Sequence, residues 1–209
     1  MKNWLDKMER RFGRYAIRNL TMYLLAGYAI GYLLSFTMPQ LLTYFTMEPA
    51  LILKGQVWRL LSWVIIPPND NIIFVIFMML LYYSLGNTLE SYWGAFRYNV
   101  YIFSGILFTV IGAFIVNGLI GGITGFGSLY STYYINMSIF LACASIMPDY
   151  QLLLYGIIPI KMKWLAILDV VLLAVDAVQG GLIIRIVIIA SLLNFIIFFF
   201  CNRNLRGHS

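Results

Sequence analysis

Six hydrophobic stretches alternate with polar joints along the 209-residue chain. A helix needs roughly 20 apolar residues to cross a bilayer, and each stretch approaches that length, the fourth and fifth being shorter. The pattern therefore predicts an all-α membrane protein with six transmembrane helices. These predicted helices cover residues 20–38, 72–89, 100–119, 133–147, 164–178 and 182–201.

The segments outside these helices divide the chain further. Residues 1–18 place Trp4, Leu5, Met8 and Phe12 at helical spacing among Lys and Arg, which predicts an amphipathic helix on the membrane surface. No small-residue cleavage site follows a short apolar core, so this segment is not a signal peptide. Residues 39–70 contain four prolines and predict a long first loop at the membrane interface. We therefore expect an amphipathic segment (1–18), one membrane domain (19–201) and a short tail (202–209).

The composition excludes a soluble protein, because 62% of the residues are apolar and only 11% are charged. A soluble domain carries about 25% charged residues. Although the net charge is +6, six of the fourteen basic residues precede the first predicted helix, where they would meet anionic headgroups. The charge therefore indicates a membrane surface and no nucleic acid.

The positive residues also predict the orientation. If the N-terminus is cytoplasmic, eleven basic residues lie in cytoplasmic segments and two, Lys54 and Arg59, lie on the opposite side. Both termini are then cytoplasmic, and the short loops favour a bacterial plasma membrane. Cys143 and Cys201 lack the spacing of a metal site, so the sequence predicts no metal and no cofactor.

Several motifs follow one another in the order and spacing of the rhomboid superfamily. The first loop carries a Trp-Arg pair, the second predicted helix ends on Gly-x-x-x-Glu-x-x-x-Gly, and a tryptophan opens the fifth: Trp58, Arg59, Gly86, Glu90, Gly94 and Trp164. The run from Arg97 to Tyr101 opens the third helix as it does in that family. The resemblance covers about residues 20–200 and implies a rhomboid-like six-helix bundle, with Glu90 as a structural residue at a helix end.

The catalytic residues of rhomboids are missing from this resemblance. Active members carry Gly-x-Ser-Gly at the start of the fourth helix, and no such motif occurs in this chain. The family spacing places Tyr133 at the nucleophile, Phe74 and Met78 at the histidine and oxyanion asparagine of the second helix, and Asn194 in the region of the basic histidine. The single histidine, His208, lies in the tail, on the predicted opposite side from a rhomboid site. We therefore expect no catalytic residues and a pseudoprotease.

Polar residues that remain inside the membrane are the candidate contact residues. Asn136 and Ser138 lie near Asn194 in the region of the lost site, and Asp169 lies one to two turns inside the fifth helix. An ionised side chain near the bilayer centre costs roughly 2.5–3.5 kcal/mol, so such groups need partners. Asp176 and Arg185 flank the turn between the last two helices and are predicted to pair. The candidates to contact a bound partner are Asn136, Ser138, Asp169, Asp176 and Arg185.

The sequence thus predicts a pseudoprotease that binds transmembrane helices or membrane-anchored proteins without cleaving them, in membrane-protein quality control, trafficking or regulation. Two alternatives stay open. The first is an intramembrane serine protease with a non-standard nucleophile, Ser131 or Ser138. The second is a six-helix transporter or uptake subunit for a small molecule, against which the scarcity of polar groups in the helices argues. The oligomeric state is left open.

Overall fold

The computed structural model describes residues 4–66, 72–130, 132–154 and 158–201, and it is mostly helical. Ten α-helices follow one another along these residues. They are α1 (Trp4–Phe12), α2 (Leu20–Thr37), α3 (Pro39–Phe45), α4 (Pro49–Ile52), α5 (Arg59–Ser62), α6 (Ile72–Trp93), α7 (Ala95–Leu119), α8 (Tyr133–Ile146), α9 (Met162–Gln179) and α10 (Leu182–Cys201). The predicted tail, including His208, lies outside the described residues.

Three helices among the described residues are long and apolar enough to cross a membrane: Leu20–Thr37, Ala95–Leu119 and Leu182–Phe199. The helix α8 has 14 residues and is therefore about 21 Å long, shorter than a hydrocarbon core of about 30 Å. The helix α9 carries Lys163, Asp169 and Asp176. The prediction that the chain contains membrane-spanning helices is thus confirmed, and the number of six such helices stays a prediction.

The short helix α8 lies at the centre of the bundle. It packs against α6, α9 and α10, and α10 also packs along α7. Ten of the fourteen residues of α8 are buried, whereas α9 buries three of its eighteen. The predominantly apolar sequence of α8, which has no strongly polar face, therefore fits a core helix with neighbours on nearly every side. The helix α9 is peripheral and leaves most of its apolar side chains exposed.

The segment predicted as a loop broken by prolines is folded. It contains α3, α4, α5 and a 3₁₀ turn over Trp63–Ile65. Pro39 and Pro49 stand at the start of α3 and α4, where a missing N–H costs nothing. Pro39 therefore starts a helix here, and the first loop becomes a compact layer that packs on α2.

A β-hairpin between α8 and α9 is the one element type that the sequence pattern missed. Its strands β1 (Gln151–Leu154) and β2 (Ile158–Lys161) pair antiparallel, with Gln151 opposite Lys161. Asp149 lies just before β1 and forms ion pairs with Lys163 at 3.1 Å and Lys161 at 3.4 Å. These two ammonium groups hold the pKa of Asp149 below its usual value.

The amphipathic segment is shorter than predicted. Helix α1 ends at Phe12 and a 3₁₀ turn continues to Tyr15. Leu5 is buried on the bundle side, as the apolar spacing predicts. The predicted second and third helices are also longer than expected, since α6 runs to Trp93 and α7 begins at Ala95.

Candidate functional site

A hydrogen-bonded cluster around Asn194 joins α7, α8 and α10. Ser104 Oγ donates to Asn194 Oδ1 at 2.6 Å, and Asn194 Nδ2 donates to the backbone carbonyl of Tyr101 at 3.1 Å. Tyr101 Oη in turn donates to the backbone carbonyl of Ser138 at 2.8 Å. Asn194 is 2% exposed and both ends of its amide are satisfied. This side chain therefore ties α10 to α7, while Tyr101 ties α7 to α8.

Gly105 allows the close approach that this cluster requires. A Cβ built on Gly105 would lie 3.1 Å from Asn194 Nδ2, closer than ordinary van der Waals contact. The absence of a side chain at this position of α7 leaves room for the amide of Asn194. Small residues at such crossings are typical of helix packing in membranes.

A second polar contact connects α8 to α2. The Tyr28 hydroxyl and the Asn136 side-chain amide lie within hydrogen-bond distance, at 3.3 Å for Asn136 Nδ2 and 3.5 Å for Oδ1. Both residues are buried. Asn136 is therefore used in holding two helices together.

The residues that the rhomboid resemblance matches to catalytic groups of the second and fourth helices have large side chains. Tyr133 is half-buried at the first residue of α8, with its ring centre 5.1 Å from that of Tyr134. Met78 is half-buried in α6. Phe74 also lies in α6, but its side chain is outside the described residues, as is Ser131.

Ser138, the remaining candidate nucleophile, is committed to its own helix. Its Oγ donates to the backbone carbonyl of Ile135 at 2.7 Å, and within the described ranges no basic side chain is hydrogen-bonded to it. A serine hydroxyl needs an adjacent base to become a nucleophile. Across the same ranges, no group of three or more His, Cys, Asp or Glu side chains is placed to hold a metal ion.

Asp169 is the buried carboxyl group of α9. It is 5% exposed, and its Oδ2 has no hydrogen-bond partner in the described part of the chain. Tyr82 of α6 and Tyr133 of α8 are its electrostatic neighbours. Burying a carboxyl oxygen without a donor costs several kcal/mol when the group is ionised, on the order of 2.5–3.5 kcal/mol on insertion scales. The ionised form of Asp169 is therefore costly to bury, and within the described residues its Oδ2 is free to accept a hydrogen bond.

The predicted ion pair between Asp176 and Arg185 is wrong. Arg185 Nε donates to the carbonyl of Ala177 at 2.8 Å, and its Nη2 to that of Val178 at 3.4 Å. These carbonyls lie in the last turn of α9, where the helix leaves them unsatisfied and where its dipole attracts a cation. The arginine thus caps α9 instead of pairing with Asp176, which is half-buried.

The Trp-Arg pair of the first loop is structural. Arg59 is 4% exposed and donates from Nη1 to the carbonyls of Thr43 and Thr46, each at 2.8 Å, and from Nε to Gln56 Oε1 at 2.7 Å. Its guanidinium therefore closes the end of α3 onto α5. Trp58 is half-exposed and donates from Nε1 to the carbonyl of Tyr44 at 3.2 Å.

The glycines and the glutamate of the second motif lie where α2, α6 and α7 meet. Glu90 Oε1 accepts a hydrogen bond from the backbone N–H of Asn19 at 2.8 Å, just before α2 begins. Gly94 connects α6 to α7 with φ of +86°, which a side chain would strain. Trp164, by contrast, is 62% exposed near the start of α9 and contacts the surroundings of the protein.

Gly86 is packed more tightly than any other position of this motif. A Cβ added there would meet the side chain of Thr21 and, at 2.8 Å, the hydroxyl of Tyr98. Thr21 Oγ1 and Tyr98 Oη are themselves hydrogen-bonded at 2.7 Å. The glycine therefore permits α2 and α7 to share a buried hydrogen bond across α6.

Glu48 is a buried residue that the sequence analysis missed. It is 7% exposed, and its Oε1 accepts hydrogen bonds from the backbone N–H groups of Gly125 at 3.0 Å and Gly127 at 2.8 Å. Burial, together with the negative charge of Glu48, raises the pKa of Tyr130 to about 12. Glu48 thus fastens the first loop to the glycine-rich joint after α7. A glutamate beside a proline gives no local signal of such a distant contact.

Arg97 was singled out only as part of a motif, and the structure gives it a role. Its Nη2 lies 2.7 Å from Asp6 Oδ1 and its Nε 2.9 Å from Glu9 Oε2. The two acidic residues of α1 therefore face α7, while its basic residues Lys7, Arg10 and Arg11 are exposed.

A family model matches residues 18–203, almost the whole membrane part of the chain, and describes its members as eukaryotic integral membrane proteins. No curated protein and no solved structure matches the chain. The expectation of an integral membrane protein is confirmed. The expectation of a bacterial plasma membrane is wrong, because the matched family is eukaryotic. The chain belongs to the DUF1751 family of eukaryotic integral membrane proteins.

Proposed function

We propose that this protein is a rhomboid-like pseudoprotease that binds transmembrane helices or membrane-anchored partners without cleaving them, in membrane-protein quality control, trafficking or regulation. One observation carries the proposal. Three polar side chains lie in the region that the resemblance matches to a rhomboid active site: Ser104, Ser138 and Asn194. They form their hydrogen bonds with neighbouring helices or with the backbone of their own helix.

Such an arrangement stabilises the packing of the helices and does not prepare a nucleophile for acyl transfer. Acyl transfer needs an activated nucleophile and donors aimed at the developing oxyanion. Here the hydroxyl of Ser138 donates to a carbonyl, and Asn194 offers an amide where the family carries an imidazole. Met78 occupies the position of the oxyanion asparagine and has no N–H to offer. The cluster is therefore suited to hold α7, α8 and α10 together.

The scaffold around this cluster is maintained by the motif residues. The buried Arg59, the acceptor Glu90 and the close-packed Gly86 each make a contact that a functionless remnant would not need. We infer that six helices cross the bilayer, that both termini face the cytoplasm, and that the compact first loop lies at the opposite interface.

Asp169 is the residue that we assign to partner binding. Its Oδ2 has no hydrogen-bond partner within the described ranges, and both α6 and α9 pack against α8. A partner helix with a lysine or arginine near the bilayer centre would supply the missing donor and would itself gain a partner for its charge. The exposed apolar face of α9, which includes Leu168 and Leu172, gives such a helix a surface against which to pack.

A site-specific photocrosslinking experiment tests this function. A photoreactive amino acid is introduced at Leu80 of α6 or Leu172 of α9, and at Ile111 of α7 as a control of similar exposure. The protein is co-expressed with a single-helix reporter that carries one mid-membrane lysine. We expect the reporter to crosslink from Leu80 and Leu172, in full-length form, and at background level from Ile111.

Two outcomes would contradict the proposal. Equal crosslinking from all three positions would show random collision in the bilayer. Reporter fragments that disappear in a Ser138→Ala variant would show an active protease with a non-standard nucleophile.

A further inference from the structure

We propose that a groove between the α1 segment and α7 binds one anionic glycerophospholipid, with an acyl chain in the groove and the phosphate beside Arg11 and Arg14. This site is independent of the proposed partner site, which involves α6 and α9. The groove has a volume of about 360 Å³. That volume lies within the range of about 300–1,000 Å³ in which small-molecule sites fall.

The walls of the groove are suited to a hydrocarbon chain. They are formed mainly by Phe12, Tyr15, Phe96, Phe103 and Leu107. Phe12, Tyr15, Phe103 and Leu107 are all more than one-third exposed, so the groove opens to the surroundings of the bundle. In a membrane, an open apolar groove of this kind faces acyl chains, and its filling needs no conformational change.

Two guanidinium groups lie against aromatic rings that line the groove. Arg11 Cζ is 5.4 Å from the ring centre of Phe12, and Arg14 Cζ is 4.7 Å from the ring centre of Tyr15. Arg14 also donates to the hydroxyl of Tyr15 at 2.7 Å. The two cations therefore lie next to rings of the groove wall, and the proposal places them at its mouth. Arginine is the side chain best suited to bind a phosphate through paired N–H groups.

Asn99 provides an independent indication of a ligand. It lies in the second turn of α7, lines the groove and is 5% exposed, and its Oδ1 has no hydrogen-bond partner among the described residues. A buried amide oxygen without a donor is costly. The ammonium or hydroxyl donors of an anionic headgroup such as phosphatidylserine would satisfy it, whereas phosphatidylcholine has no such donor.

The ion pairs of Arg97 keep the groove in place. Because Asp6 and Glu9 are both bound to Arg97, α1 is held at the start of α7 and its basic residues remain exposed. The proposed occupant has an acyl chain for the apolar slot, a phosphate for the two arginines and a headgroup donor for Asn99, whose Oδ1 has no hydrogen-bond partner among the described residues. A lipid with a negative headgroup combines these three features.

Native mass spectrometry of the detergent-purified full chain tests the site. Phosphatidylserine and phosphatidylcholine with the same acyl chains are added separately, and lipid-bound and free protein are counted. We expect one phosphatidylserine per chain, bound at least tenfold more tightly than phosphatidylcholine. The Arg11→Gln/Arg14→Gln variant should lose at least tenfold in affinity, since each basic residue near an anionic headgroup contributes a factor of about five.

The chain offers a matched control for charge. Lys7 and Arg10 are exposed on α1, the helix that also carries Arg11. The Lys7→Gln/Arg10→Gln variant changes the net charge by the same amount as Arg11→Gln/Arg14→Gln. We expect that variant to lose less than about threefold. Equal losses of phosphatidylserine affinity in the two double variants would show a nonspecific electrostatic attraction of the lipid to the basic N-terminal segment and would overturn the proposed site.

Two further variants test the acyl chain and the buried acceptor. Leu107→Trp fills the groove and should abolish one-to-one binding, while Asn99→Leu should weaken phosphatidylserine about fivefold and leave phosphatidylcholine unchanged. Glycerophosphoserine, the same headgroup without acyl chains, should not bind. Binding of that soluble headgroup with full affinity would overturn the role of the groove. If the unsubstituted protein were a dimer and Leu107→Trp made it a monomer, the groove would be the binding site for a second copy of the chain, and the lipid proposal would be wrong.

Discussion

The substitution Gly86→Ala tests most sharply how the helices are fitted together. The added Cβ would lie 2.7 Å from Thr21 Cγ2 and 2.8 Å from Tyr98 Oη, distances at which one side must move. Overpacking of this kind costs about 1–3 kcal/mol. Displacing Thr21 also weakens its 2.7 Å hydrogen bond to Tyr98, worth about 1 kcal/mol. Alanine regains about 1 kcal/mol of helix propensity. We expect a net loss of about 1–3 kcal/mol.

The assay is the unfolding equilibrium of the protein in mild detergent. Gly118→Ala is the matched control, because a Cβ at that position in α7 meets nothing within 4 Å. We expect the control to be neutral or slightly stabilising. In a Thr21→Ala background the cost of Gly86→Ala should fall by at least half, since the nearest obstacle is gone. Equal effects of Gly86→Ala and Gly118→Ala, or an unchanged cost in the Thr21→Ala background, would refute the reasoning.

Three further substitutions follow from the contacts. Arg97→Gln removes both ion pairs to α1, so tryptic cleavage within α1 should accelerate at least tenfold while the bundle stays folded; unchanged cleavage would show that Leu5 alone holds the helix. Ser104→Ala leaves Asn194 Oδ1 without its donor and should cost about 0.6–1.7 kcal/mol in the same unfolding assay, whereas Ser91→Ala, whose hydroxyl bonds only within α6, should cost less than about 0.5 kcal/mol. Because lysines hold the pKa of Asp149 below its usual value, its contribution to the hairpin is present above the unfolded pKa of about 3.9 and is lost as the pH falls through the lowered folded value. Hydrogen-exchange protection of β1 and β2 should therefore exceed that of Asp149→Asn at about pH 7 and match it at about pH 2; a difference that persists in acid would contradict this linkage.

The helices could be predicted closely because apolar runs of this length leave the chain few alternatives. The predicted start of the first helix at residue 20 and the predicted bounds 182–201 of the last are those of α2 and α10. The errors fall where polar residues continue a helix: α6 passes Glu90 to Trp93, and α7 begins at Ala95, five residues early. The hairpin was missed because Pro159 and two short strands do not produce an extended alternating pattern.

The contacts of the site were harder to predict, since they depend on which groups each side chain reaches in the folded protein. Asp176 and Arg185 are close in sequence and opposite in charge, yet Arg185 reaches the carbonyl ends of α9, which a sequence does not display. Glu48 bonds to backbone N–H groups 77 and 79 residues away, and backbone donors carry no sequence signal. Asn136 and Asn194 were expected near the lost site, and the structure adds their partners on α2 and α7.

The central claim, binding without cleavage, is tested most directly in liposomes. The purified protein and a fluorescent single-helix peptide with one mid-membrane lysine are reconstituted together, and energy transfer and peptide length are followed. We expect saturable binding, intact peptide, and at least tenfold weaker binding for Asp169→Asn but not for Asp176→Asn. A peptide with leucine in place of lysine that binds equally well, or cleavage of either peptide, would contradict the account.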